Sequence, residues 1–231
     1  MPSEFDQFSS SYNEYLNDSL NLLGSKKDFF TDYKSKLIKN FLMKRKLLDT
    51  KLSILDFGCG IGNNIPSLSK NLPLCRMHGT DVSSESIKIA NDLYSNICTF
   101  KYFDGGSLPF ENDYFDLVFI SNVFHHIPFE NHVRTLKVIK KVIKKGGIIF
   151  IIEHNPLNPL TKFVFNNCIF DKEAKMLKTN YLVSILQRED FKSPKLNYIL
   201  FIPPFLRIIS FFDKYLSFIP FGAQYCITAY K

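Results

Sequence analysis

From Leu52 to His154 the chain alternates between short apolar runs and stretches in which apolar residues recur every three or four positions. The first pattern suits buried strands and the second one-sided helices. Strands are predicted at about 52–57, 74–80, 97–103, 115–120 and 146–153, and helices at about 62–71, 84–95 and 129–145. Short apolar strands separated by helices predict an α/β fold, a doubly wound parallel sheet with helices on both faces. Upstream, residues 11–23 and 28–48 predict two N-terminal helices, with Gly24-Ser25 as the break and Asp28 as an N-cap. Downstream, 156–192 reads as helical in two pieces, and 194–202 and 221–230 as the last two strands. Residues 203–220 between them are long for a hairpin connection. They carry Phe205, Leu206, Ile208, Ile209, Phe211 and Phe212, which predicts an inserted helix capping a site. No repeat or linker divides the chain. One domain is expected: a helical cap (1–50), a ligand-binding core (51–155) and a lid with the final strands (156–231).

Glycine placement adds chemistry to this frame. Residues 54–64 read Ile-Leu-Asp-Phe-Gly-Cys-Gly-Ile-Gly-Asn-Asn. Strand, glycine turn and helix together open a nucleotide-type site. Glycines let the backbone take open φ values and let a ligand lie against it, and the following helix points N–H groups at the turn. The dinucleotide fingerprint G-x-G-x-x-G would need glycine where Asn63 stands. Ligands of parallel sheets bind outside the carboxyl ends of the strands. Asp56, Asp81, Asp104 and Asn122 all fall at predicted strand ends.

The spacing of Asp56, Gly58, Gly60 and Gly62 resembles motif I of the class I methyltransferases that use S-adenosylmethionine. The resemblance continues in family order over residues 52–155. Met77 to Ser83 resembles the second strand with its ribose-binding acid, Tyr102 to Phe110 the third strand and adenine loop, and Phe115 to Ile127 the fourth strand and pocket floor. It implies a mostly parallel seven-stranded sheet whose last two strands form an antiparallel hairpin. It further implies S-adenosylmethionine as cofactor and S-adenosylhomocysteine as product.

The cofactor-binding residues it implies are Tyr12, Asp56, Gly58, Cys59, Gly60, Asp81, Val82, Asp104, Gly105 and Asn122. The cofactor carboxylate suits free N–H groups of the turn, the ribose diol suits Asp81, and the adenine amine suits Asp104 with backbone donors of Gly105 and Gly106. Asp56 is expected to order the turn and attract the ammonium. Tyr12, in Phe8-Ser9-Ser10-Ser11-Tyr12, resembles an N-terminal Tyr that closes over the cofactor. Plainer roles stand beside these: Asp81 as a helix cap, Cys59 as a small residue packed under the turn, Tyr12 as a helix anchor.

Methyl transfer from a sulfonium depends largely on positioning. A general base is needed only where the nucleophile must lose a proton. Candidates are His125, His126, Glu153 and His154, near the ends of the fourth and fifth strands. No tight cluster of metal-ligand types stands out along the chain, so no metal is expected. Ser121-Asn122-Val123-Phe124 occupies the place where amino-methylating nucleic-acid enzymes carry Asn/Asp-Pro-Pro-aromatic, and no Pro-Cys dipeptide is present. These absences favour a small acceptor, apolar or amphipathic, methylated on oxygen, nitrogen or carbon. Two other functions share the same turn: a nicotinamide-dependent oxidoreductase and a non-catalytic cofactor-binding protein.

Charge and composition narrow the partners. The net charge is +7, with 29 basic against 22 acidic residues. The densest basic run, Lys137, Lys140, Lys141, Lys144 and Lys145, is expected along one solvated helix face. Arg is scarce and the aromatics lie elsewhere, so nucleic acid is not an expected partner. The 24 Phe residues gather toward the C-terminal third, which suits core and lid, an apolar pocket, or peripheral membrane contact; these stay open. No apolar run reaches about 18 residues, and Pro203, Arg207, Asp213 and Pro220 interrupt the nearest one. The polar, acidic start of the chain does not resemble a secretory signal. Five scattered cysteines without a CxxC pair predict reduced thiols and a cytoplasmic protein.

Overall fold

The computed structural model describes residues 27–168, 171–202 and 213–231. Tyr12, the predicted helix at 11–23 and most of the predicted insertion at 203–220 lie outside these residues.

Helix α1 (Lys27–Lys44) begins one residue before the predicted cap, so Asp28 falls in its first turn, where its charge suits the positive end of the helix dipole. The helix stops at Lys44 rather than 48 because Lys46 takes φ +58° and the Leu47 amide turns back to Leu42 O. Ile38 and Leu42, both fully buried, pack into the same cluster as Ile54, Phe119 and Phe150 of the sheet. Each such burial contributes about 1.5–3 kcal/mol.

The alternation beyond it follows the pattern closely: β1 (Ser53–Phe57), α2 (Ile65–Asn71), β2 (Arg76–Asp81), α3 (Ser84–Tyr94), β3 (Cys98–Tyr102), β4 (Phe115–Ser121), α4 (His132–Val142) and β5 (Ile143–His154). Then come α5 (Pro159–Asn167), α6 (Thr179–Arg188), β6 (Lys192–Ile199), the short α7 (Asp213–Leu216) and β7 (Gln224–Tyr230). The seven strands form one sheet in the order β3-β2-β1-β4-β5-β7-β6. All neighbours are parallel except the two pairs that β7 makes with β5 and β6. Strand order reverses between β1 and β4, and such a switch point opens a crevice at the carboxyl ends. Two apolar clusters, one on each sheet face, make up the core.

The fourth helix departs from expectation. It ends at Val142, not 145, because Ile143 already pairs with Phe115 across the sheet and Gly146 takes φ +74°. Lys144 and Lys145 therefore belong to β5, and the predicted five-lysine helical face is broken. Lys144 instead reaches the Asp116 carboxylate at 2.7 Å.

Candidate functional site

The turn after β1 is held by the end of β2. Gly58 N–H and Cys59 N–H both donate to Thr80 O, at 2.8 and 3.0 Å. Gly60 N–H donates to Asp81 Oδ2 at 2.8 Å, and Gly62 N–H to Cys59 O at 3.0 Å. Four of the amides predicted to be free for a cofactor carboxylate are thus already engaged, three of them by the end of β2 and that of Gly62 within the turn. Gly58 has φ +71°, and a Cβ there would sit 2.5 Å from Val123 Cγ2. Gly60 has φ +53°, and a Cβ there would meet nothing within 4 Å. Its bareness leaves room for a ligand rather than for packing. The Cys59 thiol is buried, and burial pushes its pKa well up, which suits the packed small residue.

A cavity of about 640 Å³ opens outside the strand ends. Gly58, Cys59, Gly60 and Asp81 line it, with Val82, Gly105 and Asn122. Asp81 is the last residue of β2, and its Oδ1 accepts the Ser83 amide at 2.9 Å. The N-cap of α3 is Ser83, whose hydroxyl accepts Ser86 N–H at 3.0 Å, so Asp81 is not that cap. Asn122 sits at φ +57°, a conformation Asn tolerates, and its side-chain carbonyl accepts from Gln224 Nε2 at 3.1 Å.

Two of the predicted cofactor-binding residues stay outside the cavity lining. Asp104 is exposed and accepts Gly106 N–H at 2.8 Å, closing its own loop. Asp56 is 1% exposed beneath the turn, with Oδ2 taking Asn64 Nδ2 at 3.3 Å and Oδ1 unpartnered. Burial pushes its pKa up to about 7. A residue the sequence did not single out lies nearby. Lys34 of α1 lines the cavity and donates to Ser121 Oγ at 2.7 Å. Burial lowers its pKa to about 8, against the opposing pull of Asp56 and Glu153. Nothing in a lysine-rich helix marks one lysine as inward-facing; only its place on the face bearing Ile38 could have hinted at it.

The other end of the cavity is built from imidazoles. Glu153, fully buried near the end of β5, accepts the Val123 and Phe124 amides at 3.0 and 2.8 Å through Oε1. Its Oε2 takes His125 Nδ1–H at 2.6 Å. His125 Nε2 stands 3.3 Å from Asp171 Oδ1, and His126 Nε2 3.5 Å from the same oxygen. The His154 ring lies 5.2 Å from that of His125. His125, His126 and His154 line the cavity, whereas Glu153 stands behind His125.

Burial by itself would lower the His125 pKa, but the carboxylates of Glu153 and Asp171 outweigh it and push it up to about 9. Burial, then the neighbouring His125 charge, draws His126 and His154 down to about 4. Glu153 is held below the usual carboxylate range because His125 outweighs its burial. His125, His154 and Asp171 each place a ligand-type atom within 4.8 Å of the others. This corrects the expectation that no tight ligand cluster would form. Asp171 is brought in by the chain after α5, a contact no local spacing announces.

Residues 55–151 match the family described as a methyltransferase domain. A demethylmenaquinone methyltransferase of Lactococcus lactis subsp. lactis is 35% identical over 130 residues, covering 53% of this chain and 50% of the relative. The chain thus aligns with about half that protein's length. Among solved structures, a SAM-dependent methyltransferase from Archaeoglobus fulgidus superimposes with TM-score 0.59 at 23% identity, over 85% of this chain and 94% of that one. Phosphoethanolamine N-methyltransferase 2 of Haemonchus contortus, solved with S-adenosyl-L-methionine, gives TM-score 0.58 at 17% identity, over 84% and 52%. Residues 55–151 thus resemble a methyltransferase domain, and the seven-stranded sheet that carries them has the fold of these solved S-adenosylmethionine-dependent methyltransferases.

Proposed function

We propose that this chain, acting as a single domain, transfers the methyl group of S-adenosylmethionine to a small apolar or amphipathic acceptor. One observation carries the reading: a single cavity runs from Gly60 and Asp81 to His125, His126 and His154. The first end suits the nucleoside and the second the acceptor. In the transfer, the acceptor's lone pair forms the new bond to the methyl carbon, and the carbon–sulfur pair returns to sulfur. His126 and His154, kept neutral by burial, can accept a hydrogen bond from the acceptor, and Glu153 positions His125 beside them. Leu160 and Phe165 give that end an apolar wall. Phe163 and Phe221 extend apolar surface outside it at 62% and 61% exposure, and Asn158 ties Phe221 O to the start of α5 at 2.7 Å. Among the described residues no helix is long and apolar enough to cross a membrane.

Thermal unfolding with S-adenosylmethionine, S-adenosylhomocysteine and NADH in parallel tests the cofactor. A ligand at about a hundred times its Kd adds about 2.7 kcal/mol, or roughly 5–10 °C for a chain of this size. A shift with the first two is expected, and a shift with NADH alone would sink the proposal. Labelled methyl transfer to a panel of quinols, hydroxyaromatics and amines then identifies the acceptor. Demethylated menaquinone belongs in that panel because of the Lactococcus relative.

Lys34 is our candidate for the cofactor carboxylate, since it is the buried cation lining the cavity near a turn whose amides are engaged. Its lowered pKa gives a sign to the pH dependence. The unfolded chain binds more protons at Lys34 between pH 8 and 10.5, so ligand-free stability gains from this group as pH rises through that window. Cofactor affinity moves the other way, because the carboxylate needs the ammonium. S-adenosylhomocysteine binding is expected to weaken by about tenfold from pH 7 to 9 as a group with pKa near 8 loses its proton. Calorimetry on the wild type and on Lys34→Gln checks this. The slope should flatten in the variant, and an unchanged slope would assign it to the ligand's own amine.

A further inference from the structure

The imidazole end of the cavity carries more apparatus than hydrogen bonding to an acceptor requires. We infer that His125 Nε2, His154 and Asp171 bind one divalent cation, which in turn takes an ionisable oxygen of the acceptor. This rests on the methyltransferase reading above and narrows its acceptor to a hydroxylated molecule.

Four features support the site. First, two imidazoles and a carboxylate form a nitrogen–oxygen donor set suited to zinc, iron, manganese or cobalt. Second, ligand atoms about 2.0–2.2 Å from a common ion lie roughly 3–3.5 Å apart. The 3.3 Å between His125 Nε2 and Asp171 Oδ1 is such an edge. All three donors already lie within 4.8 Å, so small ring and carboxylate rotations close the set. Third, the far side of His125 is built as the outer shell of a metal ligand. Glu153 Oε2 holds Nδ1–H at 2.6 Å, which leaves Nε2 aimed at Asp171 and able to ligate once the cation displaces its proton to solvent, and two backbone amides hold Glu153. Carboxylate–histidine–metal arrangements fix ring orientation in this way. Fourth, all three donors line the cavity, so three protein ligands would leave coordination positions open to its contents. Open positions mark a catalytic rather than a structural ion.

The chemistry balances without a redox partner. A cation-bound hydroxyl loses its proton more readily, and that proton leaves to solvent. The oxygen lone pair forms the O–CH3 bond while the C–S pair stays on sulfur. One alcohol and one sulfonium thus become one methyl ether, one thioether and one proton, with the cation's oxidation state unchanged.

Cobalt(II) is the probe, because it reports its ligand field by visible absorption. The full-length protein, stripped with chelator, is titrated with Co²⁺ and followed by absorption and calorimetry, with zinc as competitor. One site per chain is expected. His154→Ala and Asp171→Asn should each weaken binding at least about tenfold, and Glu153→Gln by about 10–100-fold. Thermal shift with S-adenosylhomocysteine reports whether each variant keeps its fold and cofactor end. Absence of Co²⁺ bands and heat in the wild type would overturn the proposal, as would equal binding by cofactor-competent variants. A wild type that takes cobalt but shows no shift with S-adenosylhomocysteine would sink the methyltransferase reading instead, so the two failures are distinguishable.

Discussion

Asp81→Asn should weaken S-adenosylhomocysteine binding by about a hundredfold. Asp81 ends β2, lines the cavity, and is oriented by the Gly60 and Ser83 amides, one on each carboxylate oxygen. Its two carboxylate oxygens match the two hydroxyls of a ribose diol. Hydrogen bonds to charged groups contribute about 1.5–3 kcal/mol each. The amide variant keeps one acceptor oxygen but puts an NH2 group in place of the other and removes the charge. A net loss of about 3 kcal/mol corresponds to roughly two orders of magnitude in Kd. Calorimetry measures the affinity, and the melting temperature of the ligand-free variant shows whether the turn survives the lost Gly60 contact. A change in Kd of less than about threefold, where the expected factor is about a hundred, would remove Asp81 from ribose binding.

Glu153→Ala should be the most destabilising single change in the site. The carboxylate is 1% exposed and satisfies three donors: the Val123 and Phe124 amides and His125 Nδ1–H. Removing one partner of a buried ion pair costs about 3–5 kcal/mol, because the other charge is left uncompensated. The two amides lose their acceptor as well. For a chain of this size the melting temperature is expected to fall by about 10 °C or more. Glu153→Gln keeps the shape and an acceptor for the amides, so it should lose roughly half as much. Equal losses in the two variants would show that charge, not cavity volume, sets the cost. A loss under about 1 kcal/mol in both would mean that His125 is neutral and held by Asp171, with the ion pair contributing little.

Much of this architecture is visible in the chain itself. The β1–turn–α2 unit is contiguous in the chain, and its glycines suit left-handed backbone such as the φ of +71° at Gly58. The strand ends carrying Asp81 and Asn122 follow from where apolar runs stop. Asp104 shows the limit of that logic. It ends the third apolar run as predicted, yet it lies outside the cavity lining and its Oδ1 accepts the Gly106 amide two residues away. The helix expected to 145 fails for a related reason: Ile143, Lys144 and Lys145 continue a helical pattern, but β4 offers Ile143 a strand partner.

What the sequence by itself determined is the alternating α/β frame, the glycine turn and the acid that faces it, because these depend on period and on backbone conformations read within a few residues. What only the tertiary structure decided is the working charge of the site. Lys34 crosses from α1 to Ser121 at the end of β4, Glu153 reaches back from β5 to His125, and Asp171 arrives from beyond α5. Each contact joins residues far apart in the chain whose types are common and whose spacing carries no period. Only the packed sheet, by removing water from that corner, turns them into a cluster in which one histidine is pushed up to about 9 and two are drawn down to about 4.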